Sequence, residues 1–77
     1  MNQNEMSVMG QVGDYKVKWD PKNPTETELA EKTFFELVKQ KKYLAFKLHK
    51  NGHQGAQITE FDPDANGILL VPPMRGG

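Results

Sequence analysis

Three clusters in this chain have residue types and spacings that could carry chemistry. The first is the ending, Pro72-Pro73-Met74-Arg75-Gly76-Gly77. Glycines carry no β-carbon, so Gly76 and Gly77 could thread a narrow channel and offer the Gly77 carboxylate to an attacking group without steric hindrance. Such a carboxylate is inert in water until it is activated, and the usual activation is adenylation by a partner that supplies ATP. The chain itself needs to contribute only reach and slimness. Pro72-Pro73 would provide the reach: with no amide protons it ends a strand, and it favours a stiff, extended exit. Pro72, Pro73 and Arg75 are therefore the residues expected to present the tail. With glycine near 7% of residues, a terminal Gly-Gly arises by chance in about one chain in 200. The competing reading is a frayed end or the remnant of a longer tail.

The second cluster, Asp62-Pro63-Asp64-Ala65-Asn66-Gly67, matches the opening half of a calcium loop, with oxygens at positions one, three and five and then glycine. Position twelve, where calcium takes a bidentate glutamate, is Pro73, and Asp, Pro, Asn and Gly are also what any tight turn uses. A turn is the expectation. The third cluster is His49 and His53, which could face each other across a hairpin turn but lack further ligands nearby in sequence. No metal is expected at either place. The carboxylates fall on a helix surface or in turns, where they serve solubility, so no acid-base pair stands out. The chain does not read as an enzyme, and no cofactor is expected.

These residues must be positioned by elements that the pattern announces. Tyr15-Lys16-Val17-Lys18-Trp19 alternates, with Tyr15, Val17 and Trp19 on one face, and predicts a half-buried strand. Asp20 to Pro24 stops it. Thr25-Glu26-Thr27-Glu28 reads as a capping box that opens a helix running to about Lys41. Ala30, Phe34, Leu37 and Val38 form its buried stripe, with Phe35 at the margin. Lys39, Lys41 and Lys42 oppose the carbonyl end of the dipole. Tyr43 to His49, with Leu44, Phe46 and Leu48 on the apolar side, and Ala56 to Phe61 predict a hairpin. Ile68 to Val71 is a continuous apolar run, suited to a central strand buried on both faces.

Residues 1–13 read as a flexible leader, the alternative being a short first strand from Met6 to Gln11. Residues 14–73 then form a single domain and 74–77 a projecting tail. The fold class is α+β, one helix on a small mixed sheet of four strands, or five if the first is counted.

Seventy-seven residues allow one modest core. Net charge is zero, so no global field draws the protein towards nucleic acid or acidic lipid. The absence of cysteine removes disulfides, thiolate zinc sites and thiol chemistry. No apolar run approaches the ~18 residues of a membrane span and no basic, hydrophobic leader opens the chain, so a cytoplasmic location is expected.

The segment Gly67-Ile68-Leu69-Leu70-Val71-Pro72-Pro73-Met74-Arg75-Gly76-Gly77 resembles the C-terminus of the molybdopterin-synthase small subunit and related sulfur carriers, and Arg75-Gly76-Gly77 looks like the end of ubiquitin. The resemblance covers about eleven residues. It implies the β-grasp fold, with the last strand central beside the first. It also implies adenylation at Gly77, with Gly76 as its slender neighbour and with Leu69, Val71 and the helix-facing apolar residues as support. The implied partners are an ATP-dependent activating enzyme of the ubiquitin E1 type and a downstream acceptor protein, leading to a thiocarboxylate or an isopeptide bond. The alternative function is a small interaction or structural module, of the kind carried by phage or mobile elements, binding a protein through its sheet. Tyr15, Trp19 and Phe61 would supply its aromatic surface.

Overall fold

The computed structural model describes residues 4–10 and 13–73. Five strands and one helix follow in the order β1 (Asn4–Val8), β2 (Tyr15–Trp19), α1 (Pro24–Phe35), β3 (Leu44–Leu48), β4 (Gln54–Ile58) and β5 (Gly67–Val71). The strands form one mixed sheet in the order β2-β1-β5-β3-β4. Only β1 and β5 run parallel, and the other neighbours are antiparallel. The fold is α+β, with a single helix laid on a five-stranded sheet.

The first strand exists, two residues earlier than the pattern suggested. Asn4, Met6 and Val8 are buried while Glu5 and Ser7 are only half-buried, a period of two that two short apolar residues could not announce by themselves. Its pairing on both sides, to β2 and to β5, holds it. The domain therefore begins before residue 14, and Asn4–Val8 is part of its sheet rather than of a leader.

The helix start also differs from the expectation. Asn23, not Thr25, caps it: the Asn23 side-chain oxygen accepts from the amides of Thr25 at 3.1 Å and Glu26 at 3.3 Å. Pro24 occupies the first helical position, where its missing N–H is one the helix could not pair anyway. Glu26, rather than Glu28, reaches back, accepting from the amide of Asp20 at 2.9 Å. At the other end α1 widens into one π-helical turn, Glu36–Gln40, where the Lys41 amide donates to the Glu36 carbonyl. Lys42 then takes the left-handed conformation, φ 63°, and the Tyr43 amide donates to the Leu37 carbonyl.

The core lies between α1 and one face of the sheet. Ala30, Phe34 and Leu37 from the helical segment pack with Met6, Val8, Trp19, Ala45, Ile68 and Leu70. The other sheet face has no second layer among the described residues. Alternation and register place Glu5, Ser7, Lys16, Lys18, Leu44, Phe46, Leu48, Leu69 and Val71 there. Hence β5 is central but buried on one face only, Leu69 and Val71 being half-buried. In β3 the face towards the helix carries Ala45 instead of the larger Leu44, Phe46 and Leu48. Phe34 and Leu37 already fill the space, and a small residue beneath them lets helix and sheet approach closely.

The β3-β4 hairpin is as expected in kind, with its second strand shifted to Gln54–Ile58. Gly52, at φ 85°, makes the turn. Phe61 leaves the ladder and curls over the end of the core, its ring 5.0 Å from that of Trp19 and 5.8 Å from that of Phe34. No helix among the described residues is long and apolar enough to cross a membrane.

Candidate functional site

The candidate site is the end of the sheet from which the chain leaves. Its base is β5, whose central place follows from apolar side chains on both of its faces and whose stop follows from Pro72 and Pro73, which cannot donate to a neighbouring strand. Pro72 is half-buried and Pro73 is exposed. Arg75, Gly76 and Gly77 lie outside the described residues.

Register shows what surrounds this exit. Val71, the last residue of β5, stands opposite Leu44, the first of β3. Leu70 stands beside Val8, the last of β1, and the Leu70 carbonyl accepts from the Met9 amide at 2.9 Å. Val8 in turn stands opposite Tyr15, the first of β2. One end of the sheet thus carries Met9, Tyr15 and Leu44, which are 41%, 52% and 42% exposed. Met9 and Leu44 flank the strand that delivers Pro72 and Pro73, whereas Tyr15 lies two strands away, on the helix-side face with Val8. Sequence periodicity missed this rim because no two of its members are neighbours in the chain; only strand order brings them together.

The other two clusters are built differently. The Asp62 carboxylate accepts from Lys47 Nζ at 2.8 Å and from the Asp64 amide at 3.0 Å. Lys47 beside it, with help from that amide, holds the Asp62 carboxyl below the ordinary aspartate range. The segment is a closing loop. The Pro63 carbonyl accepts from both the Trp19 indole and the Asn4 side-chain Nδ2, and Ala65 is buried in the core. His49 and His53 are both exposed at the hairpin turn, where the His49 amide donates to the His53 carbonyl. Among the described residues no three His, Asp or Glu side chains group closely enough to hold a metal ion.

Of the aromatic residues considered for a binding surface, Trp19 is fully buried, Phe61 half-buried and Tyr15 exposed. Trp19 closes the core and offers no surface, Phe61 covers the core's end with part of its ring exposed, and Tyr15 stands at the sheet's end. Two shallow concavities lie elsewhere. One, about 410 Å³, runs along the outer side of the helix past Glu28, Glu31, Phe35 and Gln40. The other, about 350 Å³, lies near the hairpin turn between Lys47, His49, Lys50 and Asp64. Neither gathers a nucleophile with a base, and every buried side-chain polar atom among the described residues has a hydrogen-bond partner. No family model, curated protein or solved structure matches this chain.

Proposed function

We propose that this protein is a ubiquitin-like modifier or sulfur carrier whose Gly77 carboxylate is adenylated by an E1-like enzyme and then passed to an acceptor. The observation that carries the reading is the position of β5. A central strand, paired to β1 and β3 along its length, ends in Pro72-Pro73 between exposed Met9 and Leu44. Pairing on both sides makes this strand a fixed mount that ends at Pro72-Pro73. The rim supplies apolar surface beside that point, which a catalyst gripping the tail would cover. A central last strand beside the first is also what the resemblance to β-grasp carriers implies, and β5 lies between β1 and β3.

The chemistry asked of the chain is small. The Gly77 carboxylate attacks the α-phosphate of ATP, pyrophosphate leaves, and the acyl-adenylate is open to a sulfur donor or to a thiol of the partner. Gly76 keeps the approach clear. The test is incubation with ATP, magnesium and an E1-like enzyme encoded near the protein's gene, followed by intact-mass analysis. An adenylate, exchange of one oxygen for sulfur, or a conjugate supports the reading. An unchanged mass, or the same product after deletion of Gly76 and Gly77, overturns it and leaves the interaction module.

A further inference from the structure

The sheet ends at β2 on one side, and no strand among the described residues covers that edge. The hydrogen bonds of β1 decide which backbone groups of β2 face outward. The amides of Glu5 and Met9 donate to the Asn66 and Leu70 carbonyls, so the peptide groups of Glu5, Ser7 and Met9 point towards β5 and those of Asn4, Met6 and Val8 point towards β2. The partners of Asn4, Met6 and Val8 in register are Trp19, Val17 and Tyr15, whose backbone groups are therefore taken up by β1. Lys16 and Lys18 are left: their N–H and C=O groups face away from the sheet, an open template for one more strand.

The side chains select which strand fits. Those of Lys16 and Lys18 are 63% and 58% exposed and share one carboxylate: Glu5, on the neighbouring strand, lies 3.5 Å from the first ammonium and 4.0 Å from the second. Two positive charges against one negative leave this stretch of the edge positive. Asp14 and Asp20 lie outside the strand, and each has a carboxylate oxygen that accepts from a backbone amide, of Gly10 and of Lys22 respectively. A second copy of β2 would bring lysine against lysine, which cross-strand pairing penalises. A strand bearing carboxylates would repeat on the outer side of β2 what Glu5 already does on the inner side.

We infer that β2 takes up an extended segment of a partner protein as a further strand, with acidic residues two positions apart opposite Lys16 and Lys18. Directly opposed side chains on adjacent strands have Cβ atoms about 5 Å apart, an easy reach for glutamate and lysine. The partner residue between the two acids falls on the helix-side face, beside half-buried Val17 and close to exposed Tyr15, where an apolar side chain is favoured. Backbone pairing supplies the affinity, and the acidic-apolar-acidic alternation supplies the selection. So short a strand buries less than the ~1,000 Å² of a stable interface, and the complex is weak and exchanges rapidly. The inference is independent of any chemistry at Gly77.

The probe is a fluorescent peptide, Ser-Val-Glu-Val-Glu-Val-Ser, titrated with the intact chain up to about 1 mM and followed by anisotropy, with amide exchange of the protein read by NMR. Saturable binding is expected, with slower exchange at Lys16 and Lys18 and little change at Tyr15, Val17 and Trp19, which β1 already holds. Lysine in place of both glutamates should abolish binding. So should N-methylation of the peptide amides that face β2, which leaves every charge in place. Lys16→Glu combined with Lys18→Glu should weaken the glutamate peptide at least about fivefold and favour the lysine peptide. Because Glu5 then meets two like charges, Lys16→Gln is the milder check, expected to weaken binding about twofold. Circular dichroism confirms that each variant is folded. No saturation by the top concentration, binding that survives N-methylation, or protection that leaves the Lys16 and Lys18 amides unchanged would each overturn the inference.

Discussion

The Trp19 indole N–H donates to the Pro63 carbonyl at 3.0 Å, and the Asn4 side-chain Nδ2 donates to the same oxygen at 3.0 Å. One acceptor in the loop before β5 thereby holds β2 and β1 together at the end of the core opposite the chain's exit. A partly buried carbonyl with two donors is costly to strip of both. Trp19→Phe should lower the unfolding free energy by about 1–3 kcal/mol, from a lost bond and a small cavity. Asn4→Ala added to it should cost more than the sum of the two single changes, because only the double variant leaves the carbonyl without a partner. Urea denaturation of the four proteins decides the matter, and simple additivity would mean that the shared oxygen is unimportant.

The helix start offers a sharp contrast between neighbouring residues. Asn23 accepts from two amides, whereas Thr25 donates its own amide to Asn23 and uses its side chain for no cap. Asn23→Ala should destabilise by about 1 kcal/mol. Thr25→Ala should stay within about 0.5 kcal/mol. Equal losses in thermal or chemical melts would restore Thr25 as the cap.

Acid should act through Asp62. Its folded value is lowered, first by the hydrogen bond from Lys47, then by the Asp64 amide and the charge of Lys47. The unfolded chain therefore holds more protons below the ordinary aspartate range, near pH 4, and stability rises with pH through that window. The contribution is fully present above it and fades as pH falls through the folded value. Asp62→Asn should flatten the dependence of the urea midpoint on pH between about 2 and 5. At neutral pH the loss should be below about 1 kcal/mol, since both partners are partly exposed. A dependence as steep in the variant as in the parent would place the titrating group elsewhere.

Leu44 separates fold from function. It is exposed at the rim beside Val71, so Leu44→Ser should change stability by no more than about 0.5 kcal/mol. If the activating enzyme grips this rim, the same change should raise its KM for the protein severalfold while leaving kcat nearly unchanged, because uniform binding is what has been removed. ATP–pyrophosphate exchange measured against protein concentration reads both constants. An unaltered KM would detach the rim from the proposed handling of the tail.

Much of this architecture is legible in the chain alone, because local periodicity follows from backbone geometry. Tyr15, Val17 and Trp19 share a face since strand side chains alternate, and Ala30, Phe34 and Leu37 share a stripe since a helix turns every ~3.6 residues. The Pro72-Pro73 stop after β5 is equally local. What periodicity supplies is which residues stand together; it does not say which side is covered. Leu44, Phe46 and Leu48 do lie on one side of β3, yet α1 covers the other, over Ala45, because Phe34 and Leu37 had already claimed the volume there. Only neighbours on both sides make Asn4–Val8 a strand, since Met6 and Val8 are too few to declare one. Phe61 lies beyond the end of β4 and packs against Trp19 and Phe34 instead of joining the ladder. The rim of Met9, Tyr15 and Leu44 exists only because β1, β2 and β3 place those residues at one end of the sheet. Spacing along a chain sets the pattern of each element, whereas the choice of buried face and the meeting of distant residues depend on competition for a shared volume, which no single segment contains.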